Sequence, residues 1–146
     1  MASVSAKYEK DFYAWANEQA ALLRAGELAA ADIEHIAEEI ESMGRAEKRE
    51  LISRLAVLLL HLIKWKFQPS LRSNSWRNSV RIQRRDLTRH MTDNPSLNAF
   101  IGEAMSGTYG DATITASDET GLLESAFPDA CPWTFEQVMS EDFWPD

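Results

Sequence analysis

From Thr92 to the last residue the chain has no lysine and no arginine, although that stretch holds 11 acidic residues. The segment cannot balance its own charge, so it must rely on cations elsewhere or stay strongly acidic. Cysteine is nearly absent too. Cys131 stands alone, which excludes an internal disulfide and fits a reducing compartment. Its neighbours Ala130 and Pro132 give it no metal-ligand spacing. No apolar run is long enough to span a bilayer: the longest, Leu55–Ile63, is interrupted by His61. Lys7, Glu9, Lys10 and Asp11 break up any leader-like pattern near the start. These features predict a cytoplasmic protein without a membrane association. Strand-like alternation and internal repeats are also missing, and glycine and proline are few, which excludes a β-rich or low-complexity chain.

What is present is sorted by charge. Met1–Gly44 holds 9 acidic and 3 basic residues, Arg45–Met91 holds 3 acidic and 12 basic, and the last block has 11 acidic and none basic. The net charges of −6, +9 and −11 give the formal −8 of the whole chain. A basic middle between acidic flanks fits two arrangements: an electrostatic clamp inside the fold, or a docking surface for an anionic partner. The overall acidity argues against indiscriminate nucleic-acid binding but leaves room for a local basic stripe.

Apolar periodicity near 3.6 residues runs through almost every segment and predicts an all-α protein. The expected fold is an up-down bundle of four or five helices in a single domain, residues 1–146. Tyr8, Phe12, Trp15, Gln19 and Leu22 mark a first helix over about 5–25, stopped by Gly26. Ile33, Ile36, Ala37, Ile40 and Met43 form one stripe, and Leu51, Leu55, Leu58, Leu62 and Trp65 another. Either one long helix crosses Gly44, absorbing a glycine cost of about 1 kcal/mol, or two helices over about 30–43 and 45–67 meet there; a break or kink at Gly44 is the favoured expectation. Leu55–Ile63 is apolar nearly all round and should be the most buried element. Pro69 ends it. Ser73, Asn74 or Ser75 can cap a fourth helix over about 75–91, with Trp76, Val80, Gln83, Leu87 and Met91 inward. Asn94-Pro95 starts a fifth, about 95–117, which Gly121 closes. The tail, 122–146, should lie across the bundle through Phe127, Trp133, Phe135 and Trp144. It carries a short helix near 134–140, where Thr134 and Gln137 have capping-box spacing.

Five pieces in order are distinctive: Glu38-Glu-Ile-Glu-Ser-Met-Gly44, His61-Leu-Ile-Lys-Trp-Lys-Phe-Gln-Pro69, Ser75-Trp-Arg-Asn-Ser-Val-Arg-Ile-Gln-Arg84, Asn94-Pro-Ser-Leu97 and Cys131-Pro-Trp133. Together they resemble the bacterial family known as domain of unknown function number twenty-nine, over nearly the whole chain from Asp11 to Phe143. The resemblance implies a small all-helical protein. It brings no activity and no site residues with it.

Four groups of residues are candidates for function. Arg77, Arg81, Arg85 and Arg89 recur every four residues, with Arg84 beside them and Arg72 just before. Guanidinium forks suit phosphate or carboxylate, so these six arginines either bind nucleic acid or an acidic protein, or pair with Glu34, Glu38, Glu41 and the acidic last third. His35, Glu38 and Glu39 fall within two helical turns and could hold a metal with His61. In one continuous helix, however, His61 would lie roughly 35 Å from Glu38, so a joint site needs a second subunit or an unusual bend. Otherwise these residues are a solvated face, with Glu41 pairing to Arg45. His61, Ser75 and Gln83 are candidates for a buried hydrogen-bond network. Lys64-Trp65-Lys66 sets cations beside an indole, which suits base stacking or helix-end packing.

No serine-histidine-aspartate order, phosphate-binding glycine loop, His-Glu-x-x-His or zinc spacing is present. No catalytic residue and no cofactor is therefore assigned. The sequence predicts a non-catalytic binding or interaction protein of unknown partner, able to form a homo-oligomer. A nucleic-acid-binding protein and a metal-dependent enzyme such as a nuclease are the alternatives.

Overall fold

The computed structural model describes residues 4–146; residues 1–3 of the expected domain lie outside the described residues. The chain is all-helical, with no strand among the described residues. Among the described residues six α-helices follow one another: α1 Val4–Lys10, α2 Phe12–Arg24, α3 Ile33–Phe67, α4 Asn74–Asp93, α5 Ile101–Thr120 and α6 Phe135–Met139. No helix among them is long and apolar enough to cross a membrane. The chain divides into two compact units, one ending at Ala46 and the other Glu47–Asp146.

In the first unit the single helix predicted over 5–25 is two helices. Asp11 leaves helical geometry (φ −145°) and its side chain accepts from the Ala14 amide, so it caps α2 and separates it from α1. Gly26, at φ 74°, closes α2: its own amide returns to the Leu23 carbonyl, and the Glu27 amide to that of Leu22. Tyr8, Phe12 and Trp15 form an aromatic cluster, with ring centroids of Tyr8 and Trp15 4.8 Å apart. Ile33, Ile40 and Met43 are more than half exposed.

The break predicted at Gly44 is absent: α3 runs unbroken from Ile33 to Phe67. Gly44 keeps negative φ, and thirty-four other helical residues carry the cost of one glycine.

The second unit has the apolar core. Leu51, Leu55, Leu58, Leu59, Leu62 and Ile63 of α3 are almost wholly buried, but Val57 is 37% exposed, so the apolar run expected to be buried all round keeps one side open. They share one cluster with Val80 and Leu87 of α4, with Ala104, Met105, Tyr109, Ala112 and Ala116 of α5, and with Phe127, Trp133 and Val138 of the tail. Burying each leucine contributes roughly 1.5–3 kcal/mol. Ser73 caps α4 by accepting from the Trp76 amide. Asn94-Pro95 opens a 3-10 turn, Pro95–Phe100, ahead of α5; the Asn94 side chain turns back to the His90 carbonyl instead of capping forward. Gly121, at φ 78°, ends α5, and Thr134 with Gln137 forms the capping box of α6.

Candidate functional site

Five of the six candidate arginines stand on α4, which sends them in two directions. Val80, Arg84 and Leu87 stand on one inward row, so the Arg84 side chain enters the core and is 4% exposed. Its Nε donates to the Val138 carbonyl (2.8 Å) and its Nη2 to that of Phe143 (2.7 Å). Nη1 is buried without a hydrogen-bond partner. Burial holds this guanidinium below its usual pKa, against the opposing charge of Glu141. Arg72, just before α4, also serves the tail: Nε donates to the Trp65 carbonyl (2.7 Å) and Nη2 to that of Pro145 (3.2 Å).

Arg77 lies over Trp65 (5.3 Å) and Trp144 (5.1 Å), Arg72 over Trp65 (5.0 Å), and Arg84 over Trp144 (5.1 Å). The indoles themselves meet at 4.7 Å. Cations and rings thus alternate, each contact worth about 0.5–1 kcal/mol where exposed and more where desolvated. Trp65 is buried by this stack and is closed to a base. Lys64 lies over Trp76 and pairs with Glu119, so the lysine-tryptophan step is helix-end packing. A cavity of about 320 Å³ opens at the start of α4, lined by Trp65, Arg72, Ser73, Asn74 and Arg77.

Arg77, Arg81, Arg85 and Arg89 are exposed. Among the described residues, none of the six arginines forms an ion pair with a carboxylate. Within the second unit the expected pairing with the acidic last third is therefore not how they are held: Arg72 and Arg84 use backbone carbonyls, Arg77 lies against two indoles, and Arg81, Arg85 and Arg89 are exposed. Glu41 pairs with Arg45 at 3.8 Å, as its spacing predicts.

Around His35 the first unit builds a network. His35 Nδ1 lies 2.7 Å from Asp32 Oδ2, which also accepts from Trp15 Nε1 (3.1 Å). Gln19 accepts from the Asp32 amide (2.7 Å). Burial pushes the Asp32 carboxyl up, but the hydrogen bonds from His35 and Trp15 outweigh it and hold it below its usual value. Tyr8 stacks on His35 at 4.1 Å and donates to Glu39. That hydrogen bond, then desolvation and the nearby carboxylates, push the Tyr8 phenol up to about 12. His35 and Glu39 are thus engaged with Asp32 and Tyr8, and Glu38 is exposed. His61 bonds the Val57 carbonyl one turn back through Nδ1 (2.8 Å) and is only half-buried. The proposed network of His61, Ser75 and Gln83 does not form: Ser75 faces solvent, and Gln83 meets Arg54 at 3.5 Å.

A different cluster comes together in the second unit. Glu47 and Glu50 lie one turn apart on α3, and His90 of α4 reaches them. His90 Nε2 donates to the Glu47 carbonyl (2.8 Å), while Nδ1 faces Glu50 Oε2 (3.4 Å) and Glu47 Oε2 (3.6 Å). Arg54 holds the other oxygen of Glu50, Oε1, through Nε (3.1 Å) and Nη2 (3.0 Å), and reaches Asp86 through Nη1 (3.1 Å). The cluster borders an open cavity of about 490 Å³ that Arg89 and Asp93 also line. Sequence spacing offered half of this signal, Glu47-x-x-Glu50 on one helical face. The missing half was the pairing with His90, 43 residues from Glu47.

The family model described as "Domain of unknown function DUF29" matches residues 7–144. The chain belongs to this family. The resemblance drawn from the five ordered pieces is thereby established over the span they cover. No curated protein and no solved structure matches the chain. For this DUF29 chain, function rests on its own side chains.

Proposed function

We propose that this DUF29 chain is a non-catalytic binding protein whose α4 docks on a phosphate-bearing polymer, a nucleic acid. One observation carries the reading: Arg77, Arg81, Arg85 and Arg89 form an exposed row without carboxylate partners among the described residues. Four residues of helix advance about 6 Å, so the row offers evenly spaced guanidinium forks, each suited to two oxygens of one phosphate. The only acidic residue within the row, Asp86, is occupied by Arg54. At the N-terminal end of α4 the cavity lined by Arg72 and Arg77 lies at the positive pole of the helix dipole. The reading takes the chain as a bacterial cytoplasmic protein on an up-down bundle, in which the basic middle block is a docking surface while Arg72 and Arg84 clamp the tail.

The test is fluorescence anisotropy with generic duplex DNA, stepping salt upward. Four phosphate contacts predict a slope of log K against log salt of about −3 to −4. Arg81→Ala with Arg85→Ala should weaken binding and bring the slope down by about 2. No binding at low salt sinks the nucleic-acid reading. Capture of an acidic peptide by the same arginines would replace it with a protein partner.

A further inference from the structure

We infer that Glu47, Glu50 and His90 form a binding site for one divalent transition-metal ion in the second unit. The inference stands apart from nucleic-acid docking and uses none of the exposed arginine row as ligands.

The histidine decides it. His90 is 7% exposed, and its ring has one fixed orientation, because Nε2 can only donate to a backbone carbonyl. Nδ1 of a neutral ring is then a bare lone pair. It is aimed at two carboxylate oxygens and has a hydrogen bond to neither, so the position calls for a cation between them, either a proton or a metal ion. An imidazole whose second nitrogen donates to a backbone carbonyl is how metal-binding histidines are usually oriented.

The distances fit an ion. A cation ~2.1 Å from nitrogen and oxygen ligands places tetrahedral neighbours roughly 3.4 Å apart. His90 Nδ1 lies 3.4 Å from Glu50 Oε2 and 3.6 Å from Glu47 Oε2, and the three ligand atoms all fall within 4.8 Å of one another. Arg54 occupies Oε1 of Glu50 and so leaves Oε2 turned to the histidine.

Charge points the same way. The cavity is lined by Glu47, Glu50, Asp86 and Asp93 against Arg54 and Arg89, an excess of two negative charges with a neutral His90. A divalent ion cancels that excess. One imidazole with two carboxylates suits zinc, manganese or iron(II) better than calcium or magnesium, which favour all-oxygen shells. Three protein ligands beside an open cavity leave coordination positions for water or for an oxyanion next to Arg89.

The experiment is isothermal titration of the chelator-treated full chain with zinc chloride, and separately manganese chloride, near neutral pH. The expected result is saturable uptake of one ion per chain. Glu47→Gln and Glu50→Gln each weaken it at least about tenfold. Both carboxylates are half-exposed, so these isosteric changes leave the metal-free circular dichroism spectrum and melting curve in place. Arg81→Ala with Arg85→Ala leaves metal uptake unchanged, which separates this site from DNA docking. Long-range nitrogen-15 spectra should show the Nδ1 resonance of a ring protonated at Nε2 moving on zinc addition. Absence of saturable uptake overturns the proposal. So does uptake that the Glu47→Gln, Glu50→Gln double variant leaves intact. A His90 ring carrying two protons at saturating zinc overturns it as well, because a proton then fills the position assigned to the metal.

Discussion

Arg84 of α4 donates through Nη2 to the carbonyl of Phe143, 59 residues further on, at 2.7 Å. With the Nε bond to Val138 it ties two turns of the tail to the core by charge-assisted hydrogen bonds. Lysine cannot make both bonds, since it lacks the planar fork. Arg84→Lys is expected to cost roughly 2–3 kcal/mol, because at least one buried carbonyl loses its donor. Urea unfolding monitored by tryptophan fluorescence reads this directly, and a loss under about 0.5 kcal/mol would mean that the tail is held by its apolar side chains and Arg72 without help from Arg84.

Arg85, the next residue, should behave oppositely. It is exposed and without an ion pair among the described residues. Arg85→Ala and Arg81→Ala should each change stability by no more than about 0.5 kcal/mol. Thermal melts of the two variants beside that of Arg84→Lys check the contrast. A large loss at Arg85 would show that the row serves the fold.

Gly44 lies inside α3, and a Cβ built there meets nothing within 4 Å. Gly44→Ala should therefore stabilise the chain by about 0.5–1 kcal/mol, through helix propensity and a less disordered unfolded state. The measurement is the urea midpoint, with the slope unchanged. Destabilisation would mean that the helix bends at this position in solution.

Two groups of the first unit set opposite pH limits. The Tyr8 phenol, held up to about 12 against an ordinary 10.0, contributes stability that is complete below pH 10 and fades as pH rises toward 12. The Asp32 carboxyl is held below its ordinary 3.8, so its contribution is complete above that value and is lost as pH falls through the folded-state value. Tyr8→Phe should reduce the alkaline loss, and its difference from the parent in tyrosinate absorbance should titrate near 12. Asp32→Asn should lower the melting temperature at neutral pH, with the gap closing on acidification. A gap that persists in strong acid would assign Asp32 a role independent of its charge.

Periodicity found the buried leucines, the inward Val80 and Leu87, the caps at Ser73 and Thr134 and the glycine stops, because each depends on neighbours within one or two turns. It misplaced Gly44 by giving one residue's propensity more weight than the rest of a long helix carries. It missed the break at Asp11, where a side-chain cap competes with helix continuation. Arg84 was legible in principle: it stands four residues after Val80 and three before Leu87, on the apolar row. Its charge disguised it, and only the carbonyls of Val138 and Phe143 make that burial tolerable. The His90 cluster joins two helices far apart in sequence, and no local pattern encodes that meeting.

Cys131 gives the tail a built-in clock. It is the chain's one thiol, half-buried, in contact with the Trp133 carbonyl, and burial pushes its pKa up. Burial lowers its thiolate fraction and its access, so an alkylating reagent should react more slowly with the folded tail than with an opened one. The alkylation rate, set against that of the unfolded chain, reports how firmly the tail stays seated, without any probe being added to the protein.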